Sequence, residues 1–558
     1  MNQRIKIGIL LAVVLIVYGN SLLNSFVMDD ELYIFRNPQV TAPSIPGFFH
    51  ANAATNVYRP FTFATFAANL QLNRDRPLGY HLFNLALHAA ATLLLFFVLR
   101  TAMDVNPRAD TIAFVAALLF AVLPIHTEAV DWIVGRSELL AAAFIFAGWW
   151  LHLRNRPIFA VLCFALALLS KESAVAFLPI VVAGDYARGK MKRWPVYAAL
   201  AATVLLYLLA LRAAQGSHFG PADISMLDNP LSLLPVKWRI LNAIRIAWKY
   251  VGLQIYPATL SCDYSFDEIR LYADLRHTIP WLLATLGVFA AWCWSVWKRK
   301  AGYIIAGAIY FAGFAATANI LTVTGTIMGE RLAYLPSAGF CLLLALLWSS
   351  IEAKQRNAAI ALLAVAAATF GVRAVVRNLD WKNNLTLYES GVRAVPGSAK
   401  MHSYLGGAYL LNKQFDLARK EFQTALQIYP QFPDTIESLG LLESWTGNRA
   451  EALRLMETAL RMSDRKNINY DYILVNLAAI QMESGRSEDA LQLLNREIAE
   501  APGYSRAWSN RAVIHLQRGE ISAARSDAES ALRLDPANGQ AIGVLNKLAT
   551  PSAAPAWR

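Results

Sequence analysis

Three carboxylates, Asp29, Asp30 and Glu31, follow closely on an apolar run from Ile5 to Leu23. Nothing in helix packing asks for three adjacent acids where a chain leaves a membrane. A carboxylate held there can act as a general base, and Asp29, with Asp30 as its alternate, is read as that catalytic carboxylate. Glu31 supports them. Other charged residues gather in loops that the same reading puts at one membrane face: Arg59, His126, Glu128, Arg136, Glu138, Lys171, Glu172, Glu330 and Arg331.

The run that carries the acids is long enough to cross a bilayer. Arg4 and Lys6 at its start keep residue 1 in the cytoplasm, and the run reads as a retained helix, not a cleaved signal peptide. Of the 558 residues, 56% are hydrophobic. Mean hydropathy is +0.36, a value for a membrane part joined to a soluble one. The net charge of +12 sits largely in short loops between apolar runs, where it reports topology and not nucleic-acid binding. Of the cysteines, Cys163, Cys293 and Cys341 lie in apolar runs and Cys262 lacks a clear mate, so no disulfide or metal framework is expected.

Basic loops alternate with apolar runs to give about eleven crossings within residues 1–376. The expected crossings are 5–23, 78–99, 111–123, 139–151, 158–169, 174–183, 196–211, 279–297, 303–323, 335–351 and 358–376. A long polar segment runs from the acids to about Pro77 and carries Tyr58-Arg59-Pro60. The runs 158–169 and 174–183 are too short to span the roughly 30 Å hydrocarbon core, so Lys171 and Glu172 between them lie below the membrane surface. Charges at that depth point to a functional site. Residues 239–256 are apolar on one face and carry Arg239, Arg245 and Lys249 on the other, a pattern for the interface. The basic cluster Arg188, Lys190, Lys192 and Arg193 is cytoplasmic; the acids and the C-terminal half lie outside.

After a linker or half-unit at 377–397, a period of 34 residues runs from 398 to 550. Gly406, Ala418, Ala425 and Pro430 occupy the small and terminating positions of a tetratricopeptide repeat. Gly440, Ala452 and Ala459 follow in register. After four extra residues near Lys466 come Ala478, Ala490 and Pro502, then Trp508, Ala512, Ala524, Ala531 and Pro536, a closing helix, and a tail at 551–558. Such a stack is a binding surface.

The chain resembles the transmembrane and tetratricopeptide-repeat O-mannosyltransferases of the GT-C glycosyltransferase superfamily. The resemblance rests on Asp29-Asp30, Tyr58-Arg59-Pro60, Gly79-Tyr80-His81, Pro124 to Val130, Val134 to Leu140, Lys171-Glu172, Glu330 to Ser337 and Asp380-Trp381. It implies an all-α GT-C-type membrane bundle followed by an α-solenoid. It further implies transfer of a mannose-like sugar from a polyprenyl-phosphate donor to a protein hydroxyl, with inversion and no bound nucleotide. The leaving polyprenyl phosphate then needs cations, for which Lys171, Arg136, Arg331, Arg59 and His126 are candidates. Tyr58, Glu128, Glu138, Glu172, Glu330 and Tyr334 support them. No metal or other cofactor is expected to be required, although acid clusters do bind divalent cations. The partners expected are the lipid-borne sugar, the bilayer and an acceptor protein on the repeats. The expected setting is the bacterial inner membrane, with a periplasmic or lumenal active face. A transferase using a lipid or glycan acceptor, and a non-catalytic membrane scaffold, remain open alternatives.

Overall fold

A computed structural model describes residues 1–50, 57–104, 106–191, 193–216, 224–463 and 469–549, and among these every regular element is a helix. Lys192, the inserted residues around Lys466 and the tail lie outside the described residues. The chain divides into two compact units, Met1–Met401 and His402–Arg558.

Among the described residues of the first unit, seven helices are long and apolar enough to cross a membrane: Gln3–Leu23, Pro77–Ala102, Ile133–Leu153, Trp194–Gln215, Ile279–Trp297, Glu330–Glu352 and Arg356–Asp380. An eighth candidate, Ala109–Val122 with Pro124–Val130, is bent by 55° at its break. Pro124 explains the break, because a proline ring cannot continue the hydrogen-bond ladder of the helix before it. A count of eleven would also need the shorter apolar helices Pro157–Ser170, Phe177–Ala187 and Ala301–Ala315. Between the first two of these, Lys171 is extended (φ −159°, ψ 136°) and Glu172–Ala176 forms one tight turn. The amphipathic stretch is the helix Val236–Ile255, with Leu241, Ile246 and Tyr250 buried along it.

One element corrects the sequence reading. The polar segment before Pro77 contains the helix Pro60–Asn73, with Phe63, Phe66 and Ala67 buried. Pro60 stands at its first position, where the missing N–H costs nothing. Thr62 and Thr65 between the aromatic residues, and Asn69 and Gln71 after them, dilute the apolar signal, but Phe63 and Phe66 lie about a turn apart and anchor one face.

After the helix Phe415–Ile428, the second unit is a stack of helix pairs, from Pro433–Trp445 with Arg449–Met462 to Ser505–Gln517 with Ile521–Leu534, ended by a closing helix Gly539–Ala549. Ala418, Ala452, Ala490 and Ala524 are fully buried. Side chains this small let paired helices approach closely. At Gly406 even a methyl group would stand 2.6 Å from the Phe422 ring. Gly447, Gly485 and Gly519 take positive φ in the turns between paired helices, a conformation glycine adopts without a steric penalty.

Candidate active site

The loop that carries Asp29 is tied to the end of the last membrane helix. Asn24 Nδ2 donates to the Asn378 carbonyl (3.3 Å), the Ser25 N–H to the Lys382 carbonyl (2.9 Å) and the Met28 N–H to Asn384 Oδ1 (2.9 Å). Met28 itself has φ +52°, an uncommon backbone region for a residue with a side chain. The consequence is a sharp turn that separates the next two carboxylates.

Asp30 turns inward and is fully buried. Its Oδ2 accepts from the Val27 N–H at 2.9 Å and its Oδ1 from the Val134 N–H at 3.2 Å. Burial pushes this carboxyl up to about 8, against the pull of those two N–H donors. Asp29 keeps an exposed edge while protein crowds its other sides. That crowding raises its carboxyl above the usual range; Lys400 and Arg331 oppose the shift, while Asp263 and Asp228 add to it. Glu31 points to the surface and pairs with Arg36 at 2.7 Å.

Three cations stand near this stretch, each with its own carboxylate. Arg59 grips Glu172 with two hydrogen bonds, at 2.7 and 3.1 Å, and reaches Ser137 Oγ at 3.5 Å. Lys171 pairs with Glu138, both buried. Arg331 pairs with Glu128, whose second oxygen accepts from the Arg331 N–H at 2.8 Å, and its guanidinium lies 5.0 Å over the Trp132 ring. Tyr33 is within electrostatic reach of Asp29, Arg59, Arg331 and Glu172. Lys171 is likewise within reach of Arg59 and Arg331. Residues from five separate stretches thus converge. Burial alone would raise Glu172, but Arg59 and Lys171 hold it down at about 2.

Other predicted residues lie elsewhere or are already engaged. Arg136 is completely buried: it donates to Asn84 Oδ1 (2.9 Å) and to the Tyr80 and Thr65 carbonyls (3.2 and 3.3 Å), and sits 4.5 Å over Phe66. His126 bonds Ser337 at 2.7 Å and packs on Phe120 and Tyr334. Tyr334 in turn bonds His88 at 2.7 Å. Glu330 accepts from the Ser261 N–H at 2.7 Å and the Tyr264 hydroxyl at 2.6 Å. Tyr58 is buried near the ring of Tyr207. Among the described residues, no three His, Cys, Asp or Glu side chains are grouped to hold a metal ion, and the four cysteines are free.

Sequence reasoning missed Tyr33, Asp228, Asp263 and Lys400. Asp228 pairs with Lys400 at 2.7 Å, and both act on Asp29. Two of these residues lie in the loops that follow residue 212, where no spacing or periodicity singles them out.

An all-helical unit with several helices long and apolar enough to cross a membrane, followed by tetratricopeptide-type helix pairs, defines a two-part membrane-type chain. The tetratricopeptide-repeat family model matches residues 372–433, 439–505 and 475–539. Protein O-mannosyl-transferase F38B6.6 of Caenorhabditis elegans is 31% identical over 76% of this chain and 63% of its own length. Protein O-mannosyl-transferase TMTC3 of Homo sapiens is 27% identical over 96% of this chain and 64% of its own, and the mouse protein of that name is 26% identical over the same shares. The chain therefore spans a little under two thirds of the length of these curated relatives. These relatives are named protein O-mannosyl-transferases, and the chain carries the tetratricopeptide repeats.

Proposed function

We propose that the chain is an inverting membrane O-mannosyltransferase that moves a mannose-like sugar from a polyprenyl-phosphate donor to a protein hydroxyl. Transfer takes place on the non-cytoplasmic side, periplasmic if the membrane is the bacterial inner membrane, and the repeats hold the acceptor protein. The observation that carries this reading is the contrast between the two aspartates. Asp30 spends both oxygens on backbone N–H groups, whereas Asp29 keeps an exposed edge among Arg331, Lys400 and Tyr33.

In the reaction, the acceptor hydroxyl gives its proton to the Asp29 carboxylate as its oxygen bonds to the anomeric carbon. The bond from that carbon to the donor phosphate breaks on the opposite face, and the polyprenyl phosphate leaves as an anion. It needs no acid, only positive charge. Arg331, Lys171 and Arg59 supply that charge, and their carboxylate partners hold them in place before the donor arrives. A lipid-borne donor also fits a buried lysine between two short apolar helices.

The test is transfer by the purified full-length protein from a panel of polyprenyl-phosphate sugars. One donor should support transfer, and Asp29→Asn should lower turnover roughly 10²–10⁴-fold while donor binding persists. Full activity in Asp29→Asn would remove the base from this stretch. Transfer only to lipid or glycan acceptors would redirect the reading to that substrate class.

A further inference from the structure

A cavity lies at the end of the membrane helices opposite the Asp29 loop. It is lined by Gln3, Phe97, Arg100, Thr101, Asp104, Trp150 and Arg154, and its volume is about 610 Å³. Gln3 begins the first membrane helix, which rises roughly 24 Å before it reaches Tyr18 and the Asp29 loop beyond. Arg100 stands in the last turn of Pro77–Ala102, and Arg154 follows directly on Arg136–Leu153. The cavity is thus framed by the ends of three apolar helices, at the level where a bilayer changes from hydrocarbon to headgroups.

The lining has the chemistry of an anion site. Among the described residues Arg154 has no ion-pair partner, and its guanidinium lies 4.9 Å over the Trp150 ring. Arg100 donates to Gln3 Oε1 at 2.8 Å and pairs with Asp110 at 3.1 Å. Gln3 accepts through its oxygen, which leaves its amide N–H₂ turned to other partners. The acid in the lining, Asp104, is neutralised by Arg188 at 2.7 Å. Trp150 and Phe97, with ring centroids 5.7 Å apart, form an aromatic wall beneath the cations. Tryptophan beside arginine at a helix end marks the interfacial layer, and basic hollows between membrane helices hold phospholipid headgroups.

We propose that this cavity binds the phosphate headgroup of an anionic phospholipid, with Arg154 as the principal contact and Gln3 and Arg100 beside it. The cavity volume falls in the range of roughly 300–1,000 Å³ usual for small-molecule sites. The site shares no residue with the Asp29 cluster, so it stands whether or not the transferase reading does.

The experiment uses the full-length protein, stripped of lipid in a neutral detergent and given phosphatidylglycerol or phosphatidylcholine with the same acyl chains. Native mass spectrometry reads the lipid retained. Phosphatidylglycerol should be held in preference to phosphatidylcholine, and Arg154→Gln should weaken that preference roughly fivefold. Arg154→Lys keeps the charge and should retain most of it, which controls for folding together with the lipid-free melting temperature. Equal retention of the two lipids would overturn the proposal, as would an unchanged preference in Arg154→Gln. Displacement of phosphatidylglycerol by millimolar inorganic phosphate would make this a soluble-anion site instead.

Discussion

The Met28 backbone N–H donates to the Asn384 side chain at 2.9 Å, across a sequence separation of 356 residues. This bond closes the loop of the catalytic candidate onto the segment that follows the last membrane helix. It also holds Met28 at positive φ, from which Asp29 and Asp30 diverge. Asn384→Ala should cost little stability, about 0.5–1.5 kcal/mol for one hydrogen bond at a partly exposed site. Turnover should fall more than that change in stability implies, because a base displaced by about 1 Å from its acceptor loses rate steeply. Parallel measurement of kcat and melting temperature checks this; an unchanged kcat would show that the loop holds its shape without Asn384.

Asp30 makes a prediction about pH. Its folded carboxyl sits at about 8, against about 3.9 for an exposed aspartate in the unfolded chain. Between those values the native state binds a proton that the unfolded state has lost, so stability falls as pH rises through the window. The melting temperature should decline from pH 5 towards pH 8. Asp30→Asn should flatten the decline, because it removes the titrating group, while lowering the melting temperature at pH 5, because its N–H₂ faces a backbone donor. A decline of equal slope in the variant would assign the effect to another group.

The apolar runs, the acids after the first helix and the register of the repeats were legible in the sequence because each is a local pattern. The pairing of charges was not. Lys171 finds Glu138 at 33 residues' separation, Arg59 finds Glu172 at 113 and Arg331 finds Glu128 at 203. No window along the chain contains such partners. Arg136 shows the converse problem. A guanidinium that spends its donors on Asn84 and two carbonyls between aromatic rings looks, in sequence, the same as one waiting for a phosphate. The helix Pro60–Asn73 escaped notice because tertiary contacts, not its own hydrophobic contrast, select it.

The orientation expected from the basic loops can be read with fused reporters. A reporter placed after Val376 should be active only outside the cytoplasm, and one near Lys190 only inside, because Arg188, Lys190 and Arg193 form the strongest basic cluster. A cytoplasmic report from the first fusion would put Asp29 on the wrong side for an externally acting transferase.

Lys171 and Glu138 allow the structural and chemical roles of a buried charge to be separated. Both side chains are almost fully enclosed, so removing one partner leaves the other charged and unpaired. Glu138→Gln should therefore destabilise the fold by about 3–5 kcal/mol. Lys171→Met should do the same through Glu138, and should also remove about 2–4 kcal/mol of transition-state stabilisation if the ammonium faces the leaving phosphate. The double variant Glu138→Gln/Lys171→Met removes both charges at similar volume and should recover most of the stability. Its turnover should remain low, because the restored fold still lacks the cation. Thermal stability and turnover measured on all three variants decide the matter: recovery of both together would make the pair purely structural, and the positive charge at the donor would then fall to Arg59 and Arg331.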